Sequence, residues 1–169
     1  MQRIRLATVA DLPAILDIYN HYVLTDTCTF QKDPDTLEAR TAWLADHGPR
    51  HPATVLERDG ELLGFGALSV FRGRWGYRHT VENTVYVHRD WHRRGLGGAL
   101  LGDLLERARA LGHHAVIAGI CGEKQGSIAL HDRHGFVPCG RLSEVGHKFD
   151  RWLDLVFMQH AVPAPEAAP

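Results

Sequence analysis

The sequence predicts an α/β fold of mixed, α+β-like character: a mixed β-sheet flanked by helices on both faces. Two observations carry this. Short runs rich in β-branched and aromatic residues are interleaved with stretches of helical period, in the order β-α-α-β-β-β-α-β-α-β-β. Grouped strands of this kind build a mixed sheet, not a purely parallel one. The second observation is one stretch, residues 80–104 (TVENTVYVHRDWHRRGLGGALLGDL), in which a strand breaks at a basic turn and glycines then open a helix.

Taken in order, Ile4 to Leu6 read as the first strand. Thr8 with Asp11 three residues on is a capping-box variant, and Leu12, Ile15, Leu16, Tyr19, Tyr22 and Val23 follow at helical spacing, so a helix is expected from Val9 to Val23. Residues 25–32 form an irregular connection carrying Cys28 and Phe30. Asp35 is the expected N-cap of a second helix through Trp43 and Leu44, stopped by Gly48-Pro49. Strands Ala53 to Glu57 and Leu62 to Val70 join at Asp59-Gly60, a strong hairpin signal. The basic, aromatic loop FRGRWGY (71–77) leads into the central strand, Thr80 to Val87. The glycine-opened helix ends near Leu111, with Gly112 as the residue that leaves it. Ala115 to Ile120 is a buried strand, Ser127 is expected to cap a short helix ending at His134-Gly135, and Val137 to Leu142 and Trp152 to Gln159 close the sheet.

Length and composition bound the function. The chain of 169 residues accommodates one well-buried domain, placed at 1–160, with a disordered tail at 161–169. A net charge of −1 argues against a nucleic-acid partner, and no apolar run approaches a membrane span. Met1-Gln2-Arg3 leads into a strand and not into a signal peptide, and Cys28, Cys121 and Cys139 lack the spacing of a disulfide framework, so a cytoplasmic location is expected. His131 with His134, and the adjacent His113 and His114, recruit no Cys, Asp or Glu partners, so no metal is expected.

The stretch at 80–104 is an anion site by construction. A glycine-rich turn lets backbone approach closely, while first-turn N–H groups and the helix dipole face the bound charge. Arg93 and Arg94 add positive charge, and a pyrophosphate is the natural occupant. Gly95, Gly97 and Gly98 do not fit G-x-G-x-x-G, and G-K-[ST] is absent, so neither a dinucleotide fingerprint nor a Walker loop is present. His92-Arg93-Arg94-Gly95-Leu96-Gly97 instead resembles the coenzyme A loop Q/R-x-x-G-x-G/A of the GCN5-related N-acetyltransferases (GNAT), with His92 in place of Gln or Arg. The element order is also that family's.

Acetyl transfer to an amine needs a base, because aliphatic amines are mostly protonated at neutral pH. Glu82 is the candidate: partial burial in its apolar strand would raise its pKa toward the useful range, although an outward-facing strand glutamate fits the pattern equally. Val85, Tyr86 and Val87 would offer backbone groups to a pantetheine arm. His131, on the short helix, could protonate a leaving thiolate or be a half-buried helix histidine. TVENTVYV, HRRGLGG, SIALHDRHGF and VGHKFDRWLDLVFMQ together resemble the phosphinothricin acetyltransferase subfamily, which includes enzymes for methionine sulfone and methionine sulfoximine. The resemblance spans residues 3–160. It implies acetyl-CoA as cosubstrate without a metal, Glu82 as base with His131 as its partner, cofactor contacts from Val85 to Val87, from Arg93, Arg94, Gly95, Leu96, Gly97 and Gly98, and from Ser127, and a homodimer. One departure is Lys124, where relatives carry an asparagine that touches the cofactor; lysine there would approach a phosphate or face solvent.

The expected acceptor is a small amino acid analogue. Arg72, Arg74 and Arg78 surround the loop before Glu82, and a guanidinium clamps a carboxylate or phosphinate bidentately. Arg78 is preferred, also by the resemblance, with Arg72 second; Phe30, Trp75 and Tyr77 would wall the pocket or pack as ordinary aromatic core. Competing readings are another amine acceptor, such as a protein N-terminus or an aminoglycoside, and a coenzyme A-binding module without turnover.

Overall fold

A computed structural model describes residues 2–163. The strands are β1 (Gln2–Leu6), β2 (Ala53–Arg58), β3 (Glu61–Val70), β4 (Thr80–Val87), β5 (Ala115–Cys121), β6 (Val137–Lys148) and β7 (Arg151–Ala161). The helices are α1 (Leu12–Thr25), α2 (Leu37–Ala45), α3 (Leu96–Ala110) and α4 (Gln125–Arg133). The element order is the expected one. All seven strands join one sheet in the order β1-β2-β3-β4-β5-β7-β6, and β4–β5 is the parallel pair among antiparallel neighbours. That pair is parallel because α3 crosses over between its strands, whereas tight turns join β2 to β3 and β6 to β7.

Each face of the sheet carries its own core. α3 presents Leu100, Leu101, Leu104 and Ala108, all fully buried, toward the face that includes Leu68, Val81, Val116 and Ala118. On the other face α1 packs Ile15, Ile18 and Tyr22 against Val55 and Phe65. Burying each leucine contributes about 2 kcal/mol, which is why the strict helical spacing of these two stretches was legible.

Several boundaries differ from expectation. Asp11 accepts from the Thr8 N–H at 2.8 Å and its hydroxyl at 2.9 Å, but this box opens a single 3₁₀ turn, and α1 proper begins at Leu12. Thr36, not Asp35, caps α2 by accepting from the Ala39 N–H at 3.1 Å; Asp35 is drawn away by an ion pair with buried Arg40. Ser127 does not cap α4, whose N-cap is Lys124. The strand expected to end at Leu142 runs further, because β6 continues through a bulge between Leu142 and Gly146 to Lys148. Phe149 and Asp150 then turn the chain with φ of 52° and 56°, the left-handed pair that matches hairpin twist. The first residues of the expected tail are ordered: Ala161 ends β7, and Val162 is buried and donates its N–H to the His114 carbonyl; residues 164–169 lie outside the described residues.

The feature that positions the site is a divergence of two strands. β4 and β5 pair only at Thr80↔Ala115, Val81↔Val116 and Glu82↔Ile117. From Asn83 onward β4 still holds β3, and β5 still holds β7, but no ladder joins β4 to β5. The β5-facing edge of β4 therefore has no strand partner from Asn83 onward, and at its end the Val87 carbonyl is taken by side chains, Tyr22 and His92.

Candidate active site

The gap between β4 and β5 holds a cavity of about 240 Å³, lined by residues 82–86 and 119–121, and a larger one of about 710 Å³ shares walls with it. The larger runs along Val85, Tyr86 and Val87 to the start of α3 and across to α4. Gly95 caps α3 at φ 77°, a left-handed conformation that a side chain resists, and Arg93 precedes it at φ 57°. The first intrahelical bond runs from the Ala99 N–H to the Gly95 carbonyl, so the amides of Leu96, Gly97 and Gly98 stay available to an anion. Arg93 lines the cavity, whereas Arg94 lies over the Trp91 ring, 4.6 Å from its centroid, and does not. His92 shares the Val87 carbonyl with the hydroxyl of Tyr22, fastening the loop to β4 and α1. This donor set fits a phosphate-bearing cofactor with an extended arm.

Glu82 lines the smaller cavity, half-buried. Desolvation alone pushes its carboxyl pKa up, with no nearby charge or donor offsetting it. Gly119 on β5 makes room for it: a Cβ there would meet Glu82 Oε1 at 3.2 Å. A third cavity of about 420 Å³ is lined by Thr80, Ile117 and Phe157 of the sheet and by Arg72 and Tyr77 of the 71–77 loop. Strand alternation sets Thr80, Glu82 and Thr84 on one face of β4: Thr80 lines the third cavity, Thr84 the smaller one, and Glu82, between them along the strand, lines the smaller one and not the third.

His131 is not beside Glu82, and the expected pairing is absent. Its Nδ1 donates to the Ser127 carbonyl at 2.8 Å, which leaves Nε2 bare to accept from the Asn83 amide at 3.0 Å. Burial pushes its pKa down, so the ring is neutral. Alternation explains the separation: Asn83 shares the α3 face of β4 with Val81 and Val85, opposite Glu82. Asn83 was missed by sequence reasoning, although a polar residue between two core valines was a signal. Its Oδ1 is buried without a partner at the point where the strands diverge.

The other expected residues divide. Lys124 and Ser127 line both of the connected cavities. Arg78, the preferred carboxylate ligand, is exposed and stacks on Trp75 at 3.6 Å from the ring centroid, outside the lining of the third cavity, which Arg72 and Tyr77 do line. Phe30 packs over Gly146 of β6 and does not wall these cavities. Cys28, unassigned by sequence, lines the two connected cavities; burial, and then Asp26, push its thiol pKa far up. Among the described residues no cluster of three or more His, Cys, Asp or Glu is placed to hold a metal, and no helix is long and apolar enough to cross a membrane.

Comparison with known proteins gives concordant relatives. The profile of the acetyltransferase (GNAT) family matches residues 15–136. An L-methionine sulfoximine/L-methionine sulfone acetyltransferase of Pseudomonas aeruginosa is 43% identical over 98% of this chain and 98% of its own. A phosphinothricin acetyltransferase from Sinorhizobium meliloti, solved in complex with acetyl-CoA, superposes with a TM-score of 0.92 at 34% identity, covering 99% of this chain and 92% of that one. A ribosomal-protein-alanine N-acetyltransferase from Brucella melitensis superposes with a TM-score of 0.92 at 43% identity, covering 94% and 99%.

Proposed function

Because the chain belongs to the acetyltransferase (GNAT) family, we propose that it moves the acetyl group of acetyl-CoA to the α-amino group of a small amino acid analogue. The acceptor class is that of its relatives: methionine sulfoximine, methionine sulfone or phosphinothricin. The observation that carries this reading is the place of Glu82 in the gap between β4 and β5, one step along the same strand face from Thr80, which lines the cavity of Arg72 and Tyr77. The α3 N-terminus and Arg93 would hold the pyrophosphate, and the free edge of β4 would bond the arm. Arg72 would take the acceptor carboxylate, leaving its amine facing Glu82. Glu82 would take the amine's proton, and holding both partners together supplies much of the remaining rate.

Direct transfer in a ternary complex is the mechanism that Cys28 favours. Burial and the neighbouring Asp26 carboxylate push its thiol pKa far up, the reverse of what a thiolate nucleophile for an acetyl-enzyme needs. The three cysteines are all unpaired, in keeping with a cytoplasmic enzyme.

The test is coenzyme A release with a panel of amines: the three analogues, ordinary amino acids, an aminoglycoside and an alanine-starting peptide. Turnover on the analogues supports the reading. Turnover on the peptide alone would favour protein N-termini, the second reading, which the 43% identity to the ribosomal-protein-alanine enzyme motivates. Arg72→Ala is expected to raise the acceptor KM by about 10²-fold, the worth of a lost bidentate charge pair, while Arg78→Ala changes it little. An equal effect of the two would refute the choice of Arg72.

A homodimer is part of the same proposal. Leu142, Val145, Phe149 and Trp152 of the β6–β7 hairpin are large apolar side chains left exposed in the single chain. Light scattering at working concentration is expected to give twice the chain mass; a monomer would reject it.

A further inference from the structure

The leaving sulfur needs a partner that His131 does not provide, since both of its ring nitrogens are engaged and it lines none of the three cavities. We propose that Lys124 is a catalytic residue, whose ammonium stabilises the negative charge that gathers on the sulfur as the acyl–sulfur bond breaks. This rests on the reading that acetyl-CoA fills the larger cavity.

The thioester must lie where the cofactor cavity meets the Glu82 cavity. Few residues wall both: Cys28, Val85, Tyr86, Lys124 and Ser127. Lys124 is the one cation of that set. Its ammonium is aimed by Asp26, whose two oxygens stand 2.8 and 2.9 Å from Nζ. Asp26 is fixed in turn by the Cys28 N–H, which donates to Oδ1 at 2.7 Å. An ammonium has three N–H donors, so two held by Asp26 leave a third for the sulfur. The flanking charges, Glu123 and Arg151, are tied to each other and to Thr27 and do not compete for it.

The charges balance without a further reactant. The amine nitrogen attacks the carbonyl carbon, a C–N bond forms, the C–S bond breaks, and the bonding pair leaves on sulfur. The acceptor ammonium gives one proton to Glu82 to free its lone pair and loses a second as the C–N bond forms, and each passes by way of Glu82 to water. The thiolate is held as an ion pair by Lys124, which keeps its own proton, and the departing thiolate is protonated by water. A lysine beside a thiol favours the thiolate, and a preorganised charge at a developing anion accelerates its formation.

The alternative is that Lys124 merely staples Asp26 to α4, and a readout without acceptor or turnover separates the two. The thiol of bound coenzyme A is titrated by its thiolate absorbance, with the desulfo-coenzyme A complex subtracted. In the wild type, the bound thiolate-to-thiol ratio is expected to be about tenfold above that of free coenzyme A at the same pH, and in Lys124→Gln to return to the free value. In turnover, Lys124→Gln should lower kcat by about 10²-fold with little change in the acetyl-CoA KM, and Lys124→Arg should recover most of the loss. Lys124→Met repeats the titration with the apolar stem retained. Identical titration in the wild type and both neutral variants, with coenzyme A bound in each, overturns the proposal and leaves the acetyl-CoA reading standing. Failure of the wild type to bind coenzyme A at all would overturn both.

Discussion

Glu82→Gln is expected to lower kcat by about 10³-fold while leaving acetyl-CoA affinity within a few-fold of the wild type. Removing a positioned base costs about 10²–10⁴ in rate, and the carboxamide keeps the shape of the site without accepting the proton. The pH dependence gives a second signature. Glu82 works as the carboxylate, and burial raises its pKa, so kcat/KM should fall tenfold per unit as pH drops below that raised value. The variant should lack that acid limb. Stability should move the opposite way. A carboxyl whose folded pKa lies above its unfolded one binds its proton more tightly in the native state. Its ionisation therefore weakens the fold as pH rises through that interval. Glu82→Gln removes this penalty, so its Tm should exceed the wild type's at neutral pH, with the difference vanishing at pH below the unfolded carboxyl pKa. A variant that loses activity and stability together would show Glu82 to be structural. Loss of activity with a gain in stability is what a base held in a desolvating site requires.

The parts of this arrangement differ in how far they could be read from sequence, and the difference has a physical origin. α1 and α3 carry unbroken helical spacing because each buries one stripe on one face of the sheet, and the glycine turn before α3 announces itself through residues with few other uses. The placement of Glu82 and His131 on opposite sides of β4 was also legible in principle, since alternation through Val81, Asn83 and Val85 fixes the faces. The resemblance drew the two residues together where the period of two separates them. What the sequence did not carry is the divergence of β4 from β5 after Glu82, because it is a relation between strands and not a property of either. Arg72 and Arg78 could not be ranked for a similar reason: the 71–77 loop has no periodicity, and a stacking contact with Trp75 decides where Arg78 goes. β6 was cut short because a bulge between Leu142 and Gly146 interrupts its register, and the buried positions beyond it are a glycine and a lysine, Gly146 and Lys148, which do not mark an apolar alternation. Its last residue is the most consequential omission.

Lys148 is buried at 5% exposure, and its ammonium donates to the carbonyls of Asp26 and Thr29 at 2.6 and 2.8 Å. A longer contact of 3.5 Å reaches the Tyr22 carbonyl, in the last turn of α1. The charge thus sits where a helix C-terminus favours a cation and ties the loop after α1 to the far edge of the sheet. That loop carries Asp26 and Cys28, so its position decides where Lys124 points and how the two connected cavities meet. Lys148→Met keeps the volume of the stem and removes the donors, leaving buried carbonyls unpaired. A hydrogen bond to a charged group is worth about 1.5–3 kcal/mol, so the loss of two should destabilise the protein by about 3–6 kcal/mol. In a chain of this length that corresponds to a fall in Tm of roughly 10 °C or more. In the proposed complex acetyl-CoA would bridge β4 and α3 on one side and α4 on the other, so saturating cofactor should restore part of the lost Tm by mass action. The acetyl-CoA KM should rise further than the acceptor KM, because Asp26 and Cys28 of the loosened loop wall the larger cavity, whereas no residue of that loop lines the cavity of Arg72 and Tyr77. A variant with an unchanged Tm would show that the loop holds its place without Lys148. A variant with a lowered Tm and a raised acceptor KM alone would assign the loop to the acceptor instead of the cofactor.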